Sequence, residues 1–170
     1  MFSKEKLRKL LNDLQKKKIS IDKGLEYLKD LPFEDLGFAK IDHHRYLRRG
    51  FPEVVFAPGK SNEALLAIIG KILAKNQPLL VTKVSHEIFS LLHKQYPHLI
   101  YHRHANLATS ALTPRLKTKK REEIVIITAG TSDIPIAEEA KITCQFAGCN
   151  VKTLYDVGVA GIHRLFPYRK

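Results

Sequence analysis

The segment of residues 124–140, IVIITAGTSDIPIAEEA, constrains the fold of this chain more than any other. Its first four residues are apolar and β-branched without alternation, a pattern that predicts a strand buried on both faces of a parallel sheet. Small polar residues follow, and Pro135 stands where the first turn of a helix would begin. The segment therefore predicts a strand, a tight loop and a helix of a parallel α/β sheet.

The loop of that unit, residues 128–133 (TAGTSD, the first loop), has the composition of a phosphate-binding turn. Glycine lets the backbone approach a ligand closely, and the hydroxyl groups, the free N–H groups and the helix dipole all favour an anion. The candidate binding residues are Gly130, Thr131, Ser132 and Asp133. From spacing alone, an ordinary turn with Ser132 or Asp133 as the helix N-cap is equally well supported.

A second small-residue loop, residues 156–165 (DVGVAGIHRL, the second loop), follows the next predicted strand. Loops after neighbouring strands of a doubly wound sheet converge at one edge, so His163 and Arg164 are expected near the first loop. A histidine there is able to move a proton near neutral pH, which makes His163 the candidate catalytic residue. The alternative is a solvated histidine in the first turn of a helix.

The periodicity of the whole chain predicts an α/β protein of four parts. These are a helical hairpin (residues 1–34), a small βαβαβ domain (35–112), a basic linker (113–121) and the first βαβ unit of a doubly wound parallel, flavodoxin-like sheet (122–170). About 50 residues of one βαβ unit are marginal on their own. The unit is therefore expected either to extend the N-terminal sheet or to be the front part of a longer protein.

The net charge of +12 favours anionic partners such as nucleotides. Arg45, Arg48 and Arg49 recur at helical spacing and predict a cationic stripe suited to a nucleotide phosphate or a carboxylate. A solvated basic helix is the alternative. Nucleic acid is not an expected partner, because the chain lacks an aromatic RNA-binding motif, a zinc finger and a basic zipper.

Other sequence features argue against membrane insertion, export and metal binding. The chain has no apolar run near the roughly 20 residues of a membrane span, and its charged N-terminus does not read as a secretory signal, so a cytoplasmic protein is expected. Its two cysteines, Cys144 and Cys149, are expected to be reduced. No ligand spacing predicts a metal site.

Three separated segments carry a family resemblance. GTSDIPIAEEA, followed after a strand by AGIHR, resembles the aminoimidazole-ribonucleotide carboxylase family of purine synthesis. The similarity is closer to its LarB branch, which serves the nickel-pincer cofactor of lactate racemization. DLGFAKIDHHRYLRRGFPEVVFAPGKS (residues 35–61), TAGTSDIPIAEEA and LYDVGVAGIHRL are similar to this branch in the same order. Three ordered matches are more specific than one short motif.

The resemblance implies a carboxylase/hydrolase. Such an enzyme carboxylates the pyridinium ring of nicotinic acid adenine dinucleotide and hydrolyses the phosphoanhydride, giving pyridinium-3,5-biscarboxylic acid mononucleotide and AMP. It implies bicarbonate or carbon dioxide as co-substrate, magnesium as an aid to hydrolysis, and a homo-oligomer. The alternatives are a non-catalytic nucleotide- or phosphate-binding protein and an aminoimidazole-ribonucleotide carboxylase-type activity in purine biosynthesis.

Residue by residue, the resemblance places Gly130, Thr131, Ser132 and Asp133 in a phosphate loop, His163 in the catalytic histidine turn, and Arg164 beside it. It also implies a cysteine nucleophile in a C-terminal part of the carboxylase-like domain, beyond Lys170. Cys144 and Cys149 are predicted at the far end of the helix, so neither is expected to replace that nucleophile. The 170 residues are accordingly expected to be inactive alone.

Overall fold

The computed structural model of the protein describes residues 4–28, 33–111 and 123–168, without the side chains of Lys4, Leu47 and Arg48. These residues form a mixed α/β fold, with helices at the N-terminus followed by parallel and antiparallel strands, consistent with part of a flavodoxin-like fold. The predicted fold class is thereby confirmed, whereas the predicted linker at 113–121 lies outside the described residues. No helix in the described part of the chain is long and apolar enough to cross a membrane.

Contacts divide the chain into two compact units, and the predicted domain boundaries stay a prediction. The first unit comprises residues 1–55 and 59–79. Its elements are α1 (Lys4–Gln15), α2 (Ile21–Leu28), the antiparallel strands β1 (Glu34–Asp35) and β2 (Lys40–Ile41), α3 (Arg45–Arg49) and α4 (Asn62–Ala74). Helix α4 begins at the cap Ser61, whose Oγ accepts a hydrogen bond from Ala64 N at 3.2 Å. Its apolar stripe, centred on Leu65 and Ile69, is buried.

The second unit comprises residues 56–58 and 80–170. It contains β4 (Leu80–Thr82), α5 (His86–Gln95), β5 (Ile100–His102) and β6 (Leu107–Thr109), and β3 (Val54–Phe56) reaches it at Phe56. The strand order is β3-β4-β6-β5, with β6 antiparallel to both β4 and β5. Strand β6 is an addition to the predicted βαβαβ alternation. It is three residues long and follows a left-handed turn at Asn106, so it leaves too little pattern to be read from sequence.

The segment that constrains the fold forms β7 (Glu123–Ile127), the first loop and α6 (Ile134–Phe146), and β8 (Asn150–Leu154) pairs parallel to β7. Helix α6 packs on this two-stranded sheet and buries Phe146 completely. The expectation that β7 is buried on both faces is wrong for the described residues, because Val125 is 51% and Ile127 56% exposed. These residues belong to the alternate face of the strand, whereas Ile124 and Ile126 are half-buried.

Candidate phosphate-binding site

The first and second loops meet directly at the carboxyl ends of β7 and β8. Thr128 N donates to Leu154 O at 2.9 Å, Val157 N donates to Thr128 O at 3.0 Å, and Gly158 N donates to Ala129 O at 2.9 Å. The hydrogen bonding between the parallel strands thus continues into the two loops. The predicted convergence of the loops at one sheet edge is confirmed in the structure.

Thr128 fastens the two loops through its side chain as well as its backbone. The side chain is buried, and its Oγ1 accepts a hydrogen bond from Asp156 N at 3.0 Å. Sequence reasoning treated Thr128 only as the start of a turn. The available signal was its place directly after the apolar run, where a β-branched residue suits the strand and a hydroxyl supplies an acceptor for a loop.

The first loop contains a 3₁₀ turn, Thr131–Asp133, that leads into α6. Asp133 occupies the N-cap position, but its carboxylate reaches back: Gly130 N donates to Asp133 Oδ2 at 3.0 Å. Asp133 N in turn donates to Gly130 O at 3.2 Å. Asp133 therefore shapes the loop from within, and Pro135 lies in the first turn of the helix, as predicted.

Thr131 and Ser132 present the available donors of the first loop. Both residues are exposed, and neither hydroxyl forms a hydrogen bond within the described part of the chain. Their N–H groups precede the first hydrogen bonds of the turn, so, like the first N–H groups of any helix, they lack an intrahelical acceptor. Two hydroxyls and two N–H groups at the start of α6 are therefore available to an anion.

The second loop holds Arg164 against Asp156. Arg164 Nη1 donates to Asp156 O at 2.8 Å and to Asp156 Oδ2 at 2.6 Å. Asp156 adopts the left-handed conformation, with φ of 58°. Apart from glycine, asparagine and aspartate, few residues adopt this conformation readily. Gly161 leaves room for this arrangement, because a Cβ there would lie 2.6 Å from Arg164 Nε. The structure thus gives Arg164 an internal partner that sequence reasoning missed.

His163 lies next to Arg164 in the 3₁₀ segment Val159–Tyr168, which is kinked at Gly161. Its side chain is exposed and has no hydrogen bond or ion pair within the described residues. The hydrogen bonds between the loops place its segment on the same sheet edge as the first loop. Its catalytic role stays a prediction.

A charged cluster links α6 to the residue just before the second loop. Tyr155 Oη donates to Glu138 Oε1, and Lys141 Nζ donates to the same oxygen at 3.0 Å. Burial raises the pKa of Glu138, but the hydrogen bonds from Tyr155 and Lys141 outweigh it, so the pKa lies below its ordinary value. The Glu138 carboxylate is therefore held ionised, and it ties α6 to the residue that follows β8.

The predicted arginine stripe belongs to the first unit, on α3. Arg45 and Arg49 are exposed, and the side chain of Arg48 lies outside the described residues. The binding role of the stripe stays a prediction.

The residue that anchors this segment is His43, which is buried. Its Nε2 lies 3.0 Å from Glu34 Oε2 and its Nδ1 lies 3.3 Å from Gln77 Oε1. Gln77 Nε2 also donates to His43 O at 3.4 Å, which orients the amide so that its oxygen faces the ring. Both ring nitrogens thus face side-chain oxygens.

No group of three or more histidine, cysteine or acidic residues among those described is arranged to hold a metal ion. Asp133 and Asp156, the acidic residues of the two loops, already accept hydrogen bonds from Gly130 and Arg164. The described residues therefore do not fit a magnesium ion held by protein ligands alone.

At the carboxyl ends of a parallel strand pair, the structure thus joins a small-residue loop to a loop that carries a histidine. Residues 33–113 match the sequence model of the LarB/PurE-like N-terminal domain, and this match supports a LarB/PurE-like family assignment. It is also similar to an uncharacterized protein of Methanocaldococcus jannaschii, MJ0165, with 38% identity over 171 residues. The match covers 96% of this chain and 66% of that relative, so the chain spans a little under two thirds of the relative's length.

Proposed function

We propose that the first and second loops bind the phosphate groups of a nucleotide. The supporting observation is that the hydroxyl and N–H groups of Thr131 and Ser132, at the start of α6, have no hydrogen-bond acceptor within the described part of the chain. Backbone hydrogen bonds fasten these donors to the loop that carries His163, so they are positioned before any ligand arrives. Preorganised N–H and hydroxyl donors at a helix N-terminus are a common way to bind phosphate.

Each residue has a distinct part in this proposal. Thr131 and Ser132 donate to phosphate oxygens, while Asp133 keeps the loop in shape through Gly130. Arg164 exchanges one oxygen of Asp156 for a phosphate oxygen, since an exposed guanidinium is able to share its donors. His163, adjacent and exposed, serves as a general acid or base.

For the reaction, we propose the LarB-type chemistry: carboxylation of the pyridinium ring of nicotinic acid adenine dinucleotide and hydrolysis of its phosphoanhydride. The match of residues 33–113 to the LarB/PurE-like N-terminal domain and the two loops support this choice. Bicarbonate or carbon dioxide would supply the carboxyl group. Magnesium, when bound, would assist the hydrolysis by neutralising phosphate charge; the described residues do not by themselves form a site for it.

A second candidate is nucleotide binding without turnover by these residues. Its support is the position of the two cysteines: Cys144 lies in the last turn of α6 and Cys149 just after it, at the opposite end of the helix from the loops. Neither thiol is therefore placed to add to a pyridinium ring held at the first loop.

Titration calorimetry with the dinucleotide and with AMP tests the binding proposal. Ser132→Ala removes one hydroxyl from the site, and a hydrogen bond to a charged group contributes about 1.5–3 kcal/mol, so affinity should fall roughly 10-fold or more. Ser90→Ala is the matched control, because Ser90 is an exposed serine of α5 whose Oγ donates to His86 O. Absence of binding, or equal losses in the two variants, would refute the site.

Incubation of the chain with the dinucleotide, bicarbonate and magnesium then separates the two candidates. Formation of the biscarboxylated mononucleotide and AMP, followed by liquid chromatography and mass spectrometry, supports the enzyme. Binding without either product supports the non-catalytic candidate. Turnover of aminoimidazole ribonucleotide in a parallel reaction would point instead to a purine-type carboxylase.

A further inference from the structure

The two cysteines of the chain occupy the two ends of one helix-terminating motif. Helix α6 ends with Gly148 in the left-handed conformation, with φ of 86°. Gly148 N donates to Gln145 O at 2.9 Å, and Cys149 N donates to Cys144 O at 3.0 Å. This pair of hydrogen bonds is the Schellman motif, in which the residues at the positions of Cys144 and Cys149 commonly touch through their side chains.

We propose that Cys144 and Cys149 form a dithiol site that a low-molecular-weight disulfide oxidises to an internal disulfide bond. Both thiols are free and half-buried. The 3.0 Å hydrogen bond between their backbones keeps the two residues adjacent, and a disulfide requires closely spaced Cα atoms. Because the turn is fixed by its own hydrogen bonds, the second thiol stays within reach once the first has reacted.

The exchange proceeds in two balanced steps. The Cys149 thiolate attacks one sulfur of the oxidant, which forms a mixed disulfide and releases one thiolate. The Cys144 thiolate then attacks the Cys149 sulfur, the mixed disulfide breaks, and the second thiolate leaves. The two cysteine protons end on the two released thiols, so the protein loses two electrons and two protons to the oxidant.

The order of attack follows from the surroundings of the two thiols. Burial raises the pKa of the Cys144 thiol, and the neighbouring Cys149 raises it further. A buried thiol with a raised pKa is the poorer first nucleophile. Cys149 stands one residue before β8, so the new bond would tie the last turn of α6 to the start of that strand.

Oxidised glutathione added to the full chain tests the proposal, with intact-mass measurement as the readout. The expected product has lost the mass of two hydrogens, and its count of alkylatable thiols falls from two to zero. In Cys144→Ser and Cys149→Ser the remaining thiol should carry one glutathione adduct instead. Wild-type protein with two adducts, with two thiols that still alkylate, or with disulfide-linked dimers would overturn the proposal.

A second measurement uses the reduced protein and does not depend on the oxidant. Phenylarsine oxide binds two thiols at once, so one molecule should bind per wild-type chain and none should remain bound to either serine variant after washing. Far-ultraviolet circular dichroism checks that the variants are folded. Equal retention of the arsenical by wild type and the single variants would show that the thiols do not act as a pair.

Discussion

Gly158→Ala should destabilise the protein by loosening the junction of the two loops. A Cβ on Gly158 would lie 2.7 Å from Ala129 O and 3.1 Å from both Ala129 C and Cα. All three are backbone atoms, so the clash cannot be relieved by rotating a side chain. The backbone must move, and that movement lengthens the hydrogen bond of 2.9 Å from Gly158 N to Ala129 O.

The expected loss of unfolding free energy follows from adding a carbon where the neighbouring backbone leaves no space for it. Inserting one carbon into a well-packed place costs about 1–3 kcal/mol, and a weakened backbone hydrogen bond adds about 0.5–1.5 kcal/mol. For a chain of this size, each kcal/mol lowers Tm by about 2–4 °C. Thermal unfolding followed by circular dichroism should therefore show a clear drop for Gly158→Ala.

Gly130→Ala is the matched control within the first loop. A Cβ there would meet only Ser132 Oγ at 3.7 Å, an ordinary contact, and the φ of −132° is open to any residue. Its stability should stay within about 0.5 kcal/mol of wild type. Equal Tm values for Gly158→Ala and wild type, or a larger loss for Gly130→Ala, would refute the account of how the loops are joined.

Variants at four further positions probe the same sheet edge. Thr128→Val keeps the shape of the side chain but leaves Asp156 N without its acceptor, so unfolding free energy should fall by about 1–3 kcal/mol, while Thr128→Ser should recover most of it. Asp156→Asn should change stability by less than about 1 kcal/mol, because its ion pair with Arg164 is exposed. Glu138→Gln should be destabilising at pH 7. The pKa of Glu138 is lowered from 4.5 in the folded protein, so its contribution to stability is complete above pH 4.5 and is lost as the pH falls through the lowered pKa. The difference in Tm between Glu138→Gln and wild type should therefore shrink on acidification, and a difference that grows would contradict the lowered pKa. Tyr155→Phe removes a hydrogen bond to Glu138 and should weaken the same pH dependence of stability.

The sequence predicted the elements with strong local signals, and it missed those set by contacts between distant residues. The apolar run of β7 and Pro135 act through their own backbone preferences, so the strand and the start of α6 were readable. Strand β6 exists because it pairs with β4 and β5, which no pattern within three residues can reveal.

The candidate site divides in the same way. The first loop and His163 were identified by residue type and order, and their shared sheet edge followed from the topology of parallel strands. The hydrogen bond from Asp156 N to Thr128 Oγ1 spans 28 positions, and the pairing of Arg164 with Asp156 depends on a left-handed backbone. Such details require coordinates, because they depend on which rotamers and turns the folded chain selects.

The pairing of Arg164 with Asp156 bears on how an anion would be bound. With that guanidinium already partnered, the donors left at the first loop are neutral hydroxyl and N–H groups of Thr131 and Ser132. Neutral, directional donors recognise the shape of a phosphate and depend little on salt, whereas a free arginine would attract any anion over a Debye length of about 8–10 Å. Recruitment of Arg164 by a phosphate would release Asp156 and loosen the turn that carries His163. Under the proposed binding mode, occupancy of the first loop would therefore be coupled to the position of His163 through this ion pair.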